Sequence, residues 1–122
     1  FVELDILKPE LWDDNFKTKT FDVIVSNPPY VTPSEESQMK PNVLQYEPHL
    51  ALFVDDNNPL QFYDAICQFA VNNLEQNGKL YFEINQYLGE QMNALLKTNN
   101  FHSIELKKDL FGANRMLKAT KL

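Results

Sequence analysis

The chain has 122 residues, 43% of them apolar, and a formal net charge of −6. That is enough apolar material for one packed domain and too much for a disordered segment. Its lysines and arginines are scattered, which argues against a basic nucleic-acid surface, and no apolar run approaches the roughly 20 residues of a membrane helix.

Cys67 is the single cysteine, so there is no internal disulfide framework, and a reducing, cytoplasmic setting is expected. It falls on the apolar side of a predicted helix and is expected to be packed core. Val2 to Ile6 reads as a short strand ending at Asp5. The opening carries no basic region or long apolar stretch, so it is not expected to be a signal peptide. With no initiator methionine and a strand-like start, the chain is expected to begin inside a larger protein. Leu7 to Thr20 is polar and irregular.

Phe21 to Ser26 is strongly β-forming, and its near-continuous apolar run predicts a central strand buried on both faces. Thr32 to Asn58 is rich in Pro, Ser, Glu, Asp and Asn and reads as a long loop. Loops of that length often carry function. Val43-Leu44 and Leu50 to Val54 are the pieces expected to pin it down.

Asn58 fits a helix N-cap and Pro59 the first helical position. Phe62, Tyr63, Ile66, Cys67, Phe69, Ala70 and Leu74 then follow helical spacing. Asn77-Gly78 is expected to end that helix, with Gly78 in a left-handed cap. Lys79 to Ile84 reads as a strand, Gln86 to Thr98 as a helix, and His102 to Lys108 and Met116 to Lys121 as strands around a turn at Gly112. Strands alternating with helices predict an α/β sheet, mostly parallel, with helices on its faces and an antiparallel last strand. In such sheets ligands bind beyond the carboxyl ends of strands.

Asn27-Pro28-Pro29-Tyr30 lies at such an end. Asn27 offers an amide oxygen and an NH2 group. Pro28 and Pro29 lack backbone N–H donors, and their fixed φ angles aim their carbonyls in set directions. Tyr30 adds an aromatic face. The set makes a preorganised acceptor for a planar NH2 group. It suits methyl transfer to an amino or amide nitrogen, where orientation matters more than a strong base. The plainer alternative is a loop that leaves a strand through two prolines.

Other polar residues weigh less. Glu83, near the end of its strand, is either a general base or, as favoured here, a carboxylate bonding loop amides or the Asn-Pro-Pro-Tyr backbone. Glu47 is a candidate loop anchor on the same grounds. Arg115 is expected to pair with Asp109 or to shape the substrate side. His49 and His102 have no ligand partners at metal spacing, so no metal site is expected. Asp13-Asp14 and Asp55-Asp56 read as solvated loop charges.

Ser26 to Tyr30, "SNPPY", resembles a motif of class I methyltransferases that use S-adenosylmethionine to modify amide or amino nitrogens. "YEPHLAL" (Tyr46 to Leu52), "FYDAI" (Phe62 to Ile66), "NGKLYFEI" (Asn77 to Ile84) and "DLFGANRML" (Asp109 to Leu117) resemble, in order and spacing, the release-factor glutamine methyltransferases of the HemK/PrmC type. That resemblance covers essentially the whole chain. It implies the C-terminal part of a Rossmann-like catalytic domain over residues 1–122, lacking the glycine-rich cofactor loop and the N-terminal helical domain. It implies N5-methylation of the glutamine in the Gly-Gly-Gln loop of peptide-chain release factors. Asn27 and Pro28 would grip that glutamine, with Pro29 and Tyr30 walling the pocket. Asp5, Ile6 and Asn27 would lie on the cofactor side. An adenine-N6 or guanine-N2 nucleic-acid methyltransferase is the alternative that the same motif allows. Asn85 stands where the family often has glycine. The isolated piece is expected to be inactive and either to self-associate through an exposed edge of the Phe21 to Ser26 strand or to have a disordered start.

Overall fold

A computed structural model describes every residue from Phe1 to Leu122. Helices α1 (Asp14–Lys17), α2 (Pro41–Tyr46), α3 (His49–Leu52), α4 (Gln61–Asn73) and α5 (Gly89–Thr98) accompany strands β1 (Phe21–Ser26), β2 (Leu74–Glu83), β3 (Phe101–Lys108) and β4 (Asn114–Lys121). The strands form one sheet in the order β1-β2-β4-β3. β1 and β2 are parallel, and β4 runs antiparallel to both β2 and β3. The α/β class and the reversed last strand therefore agree with the sequence pattern.

Side-chain alternation divides the sheet into two unlike faces. Leu80 and Phe82 on β2 and Leu117 and Ala119 on β4 point one way, and pair across the strands as Leu80↔Ala119 and Phe82↔Leu117. Both long helices pack on that face. Tyr63, Ile66, Cys67 and Ala70 come from α4, and Met92 and Leu96 from α5. The opposite face has no helix over it. Val23, Val25, Tyr81 and Met116 are exposed there.

β1 has the exposed edge expected of the isolated piece but not the expected burial on both faces. Within this chain it is an edge strand, with Val25 75% exposed. Its apolar run is covered on one side only.

Four other elements depart from the sequence pattern. Val2 to Ile6 forms no strand, because no neighbouring strand is there to receive its hydrogen bonds. Leu7 to Thr20 is more ordered than its polarity indicated. Asp13 caps α1 by accepting from the Asn15 N–H, and Trp12 and Phe16 pack on Phe69 with ring centroids 5.4 Å apart in each pair. The stretch after Thr32 is not structureless: it holds a 3-10 turn at Pro33–Gln38 followed by α2 and α3. It is tied back where the Val31 N–H donates to Leu52 and the Val54 N–H to Val31.

The fourth departure is at the end of α4. The helix starts at Gln61 instead of Pro59 and stops at Asn73, four residues short of Asn77. Asn77-Gly78 instead forms an irregularity inside β2, where the pairing jumps from Phe21↔Leu74 to Val23↔Lys79. Asn77 takes the positive φ of 65°, which asparagine tolerates. Gly78 serves another purpose. A Cβ there would lie 2.8 Å from the Glu75 carbonyl oxygen and 3.1 Å from that of Asp22, so glycine lets β1 and β2 close up at the bulge. Gly112, with φ of 84°, does make the turn expected of it.

Candidate functional site

β1 ends at Ser26, and the chain leaves the sheet through Asn27-Pro28-Pro29-Tyr30. Asn27 is exposed and Pro28 is buried. The motif thus sits at the carboxyl edge of a parallel pair of strands, with its first residue open to solvent and its second anchored.

Tyr30 is held at both ends. Its hydroxyl donates to Glu83 Oε1 at 2.5 Å and accepts from Arg115 Nη1 at 3.3 Å. Its carbonyl accepts from Asn85 Nδ2 at 2.9 Å. Burial, reinforced by the bond to the Glu83 carboxylate, pushes the Tyr30 hydroxyl up to about 12, so it is a neutral donor at any physiological pH. Arg115 in turn reaches Asp109 through Nε at 3.3 Å. Asp109 accepts from the N–H groups of Phe111 and Ala113, which fixes the turn ahead of β4. Burial works against the Asp109 carboxylate, but those two N–H groups and Arg115 hold its pKa below the ordinary value.

Asn85, 6% exposed, is the second hub. Its Nδ2 donates to the Tyr30 carbonyl and to both Glu35 oxygens, at 3.1 and 2.9 Å. Its Oδ1 accepts from the Tyr87 N–H, and its own N–H donates to the Tyr63 hydroxyl at 3.2 Å. Turning the amide over would set its oxygen against three acceptors, so the network dictates its orientation. Glu35 also accepts from the Thr32 N–H and hydroxyl. One side chain thereby ties the motif to the segment that follows it. Nothing local in the sequence reports the bonds of the Asn85 NH2 group, whose partners lie 50 and 55 residues away.

The remaining candidates divide between two grooves. Asp5, Ile6, Pro28 and Pro29 line one of about 1040 Å³. Asn27 and Glu83 line another of about 540 Å³, on the helix-free face. Asn27 and Asp5 are therefore not brought to one wall. Asp5 is also engaged locally: its Oδ1 accepts from the Leu7 N–H at 2.9 Å and its Oδ2 pairs with Lys8 at 3.4 Å. Glu83 meets the motif through the Tyr30 side chain, where loop amides or the motif's backbone were expected. Glu47 is exposed, follows α2 and has no side-chain hydrogen bond, so it anchors nothing here.

The groove beside Asp5 bears on whether S-adenosylmethionine fits. Its apolar wall of Ile6, Pro28 and Pro29, with the Asp5 carboxylate beside it and Glu3 and Asp13 also on the lining, suits the flat face and exocyclic amine of an adenine. No glycine lines it, so this chain offers no close backbone cradle for the rest of such a molecule. The residues present fit one end of the cofactor.

Comparison with known proteins agrees with the motif. No protein-family model matches the chain. It is 53% identical over 118 residues to the release factor glutamine methyltransferase of Flavobacterium psychrophilum, covering 97% of this chain and 40% of that protein. To the protein of the same name from Bacteroides thetaiotaomicron it is 45% identical over 108 residues, covering 88% of this chain and 39% of the relative. A solved release-factor-specific protein-(glutamine-N5) methyltransferase from Alicyclobacillus acidocaldarius superposes with a TM-score of 0.50 at 20% identity, over 84% of this chain and 49% of that one, a likeness of fold. By its sequence the chain is similar to release factor glutamine methyltransferases, of whose length it spans about two fifths.

Proposed function

We propose that this chain is the C-terminal part, residues 1–122, of the catalytic domain of an enzyme that methylates the glutamine side-chain nitrogen in the Gly-Gly-Gln loop of peptide-chain release factors. One observation carries the site assignment. The Tyr30 carbonyl is already taken by Asn85, whereas the Asn27 side chain and the Pro28 carbonyl have no hydrogen-bond partner within the protein. Those two acceptors are unengaged, one on the exposed Asn27 and one on the buried Pro28, along a backbone that the prolines stiffen.

Their role follows from the chemistry of an amide. Its nitrogen is a poor nucleophile because the lone pair is delocalised into the carbonyl. Asn27 Oδ1 and the Pro28 carbonyl would each accept one N–H of the glutamine, turning the nitrogen toward the donor and favouring the charge it gains. S-adenosylmethionine supplies the methyl group when bound, its carbon–sulfur bond breaking as the carbon–nitrogen bond forms. The extra proton on nitrogen leaves to solvent after transfer, so Glu83 is free to hold Tyr30. Asp5 and Ile6 would meet the adenine end of the cofactor. A release-factor substrate implies a cytoplasmic protein, and no helix here is long and apolar enough to cross a membrane.

The deciding assay incubates the full-length protein that carries this sequence with labelled S-adenosylmethionine, using a release factor in one arm and oligonucleotides in the other. Label should enter the release-factor glutamine. Transfer to nucleic acid alone would overturn the proposal. Asn27→Ala should abolish turnover and leave cofactor affinity within a fewfold of the parent.

A further inference from the structure

We infer that Arg115 and Asn85 are positioning residues that set the geometry of the two acceptors by clamping Tyr30, an inference resting on the reading of Asn27 and Pro28 given above. Neither residue touches the acceptors. Both act through Tyr30, three residues beyond Asn27.

The lever between them is stiff. Pro28 and Pro29 fix two consecutive φ angles, so a shift of Tyr30 is passed to the Pro28 carbonyl with little lost in between. The clamp holds Tyr30 from two directions. Arg115 comes from β4, braced by Asp109 at 3.3 Å, and reaches the hydroxyl at 3.3 Å. Asn85, just past β2, holds the carbonyl at 2.9 Å. Glu83 completes the hydroxyl's shell at 2.5 Å. The motif's position is therefore referred to β2 and β4, in the middle of the sheet, although the strand that delivers it lies at the edge. That arrangement supplies what an edge strand lacks, a rigid frame for a site needing close alignment.

The test uses the full-length protein with Arg115→Met, Arg115→Lys, Asn85→Ala, Tyr30→Phe and the double variant Tyr30→Phe/Arg115→Met. A displacement on the order of 1 Å can cost about a hundredfold in rate. Arg115→Met and Asn85→Ala should lower kcat by roughly tenfold to a hundredfold with the KM for S-adenosylmethionine unchanged, and Arg115→Lys should recover part of the loss. Arg115→Met should add little on top of Tyr30→Phe, because both act on one hydroxyl. Unchanged kcat in the folded single variants, or losses that multiply in the double variant, overturn the inference. Crystal structures of Arg115→Met and Asn85→Ala give a readout independent of turnover: Asn27 to Tyr30 should be displaced, and an undisturbed motif overturns the inference. If the parent protein methylates no amide, the functional reading fails while these structures still decide the clamp. If Asn85→Ala does not fold, Arg115→Met, at a side chain 30% exposed, decides alone.

Discussion

The Tyr30 hydroxyl and the Glu83 carboxylate meet at 2.5 Å across 53 residues of chain. The bond ties the proline turn to the end of β2 and has a titration signature. Burial and then the Glu83 carboxylate raise Tyr30 from 10.0 to about 12. Its folded value exceeds its unfolded one, so the neutral hydroxyl's contribution to stability is complete below pH 10 and fades as pH rises toward 12. Glu83→Gln should bring the Tyr30 titration partway back toward 10, leaving the share due to burial, as followed by NMR at the ring carbon bearing oxygen. Tyr30→Phe should cost about 1 kcal/mol at neutral pH, the scale of a half-exposed hydrogen bond. A Tyr30 titration that ignores Glu83→Gln would show that the carboxylate is not its partner in solution.

Cys67 lies on α4 against β2 with no exposed surface. Burial pushes its thiol up to about 12, with the Asp64 charge adding to the effect. Thiolate is the reactive form, so an aromatic disulfide reagent should leave native protein unmodified and label it fully in denaturant. Cys67→Ser should destabilise by about 1–3 kcal/mol, since its hydroxyl enters a site without partners. Rapid labelling of native protein would place the thiol outside the core.

Gly78→Ala tests the bulge in β2. The added Cβ would meet backbone oxygens of Glu75 and Asp22 at 2.8 and 3.1 Å, and neither can swing away as a side chain would. A loss of about 1–3 kcal/mol is expected by denaturant unfolding. A wild-type midpoint would mean that β1 and β2 do not approach this closely.

These residues also show where a sequence is readable. Phe21 to Ser26, the prolines after it and the Gly112 turn depend on local chemistry, and all were legible. Asn77-Gly78 was misread because a helix cap and a strand bulge ask for the same residues. Leu74 suits the buried stripe of a helix and the first position of a strand equally well. Val2 to Ile6 has strand-forming residues but no partner strand, and pairing is not written in propensity. Asn73 and Asn85 were invisible for a third reason. Asn73 Nδ2 donates to the Lys17 and Lys19 carbonyls at 2.8 and 2.6 Å, more than 50 residues away. Buried amides of this kind take their meaning from distant backbone, and no spacing rule reports it. The strand-end motif was legible as a motif, and what holds Tyr30 in place was not.

The two edges of the sheet are unequally protected, and this decides where the isolated chain should associate. β3 carries Glu105, Lys107 and Lys108, and its pairing is broken by register shifts, with Ser103 at a φ of 50°. Charges and bulges of this sort discourage edge-to-edge pairing. β1 has a single charge, Asp22, and its exposed Val23 and Val25 continue onto the helix-free face through Tyr81 and Met116. A second copy pairing along β1 would satisfy the free backbone groups and cover that apolar strip together. Sedimentation velocity of the 122-residue chain should therefore show a concentration-dependent dimer. Val25→Lys, at a side chain already exposed, should shift it to monomer without loss of stability, whereas Leu106→Lys on β3 should leave association unchanged. A parent chain that stays monomeric at high micromolar concentration would mean that the edge is protected in some other way.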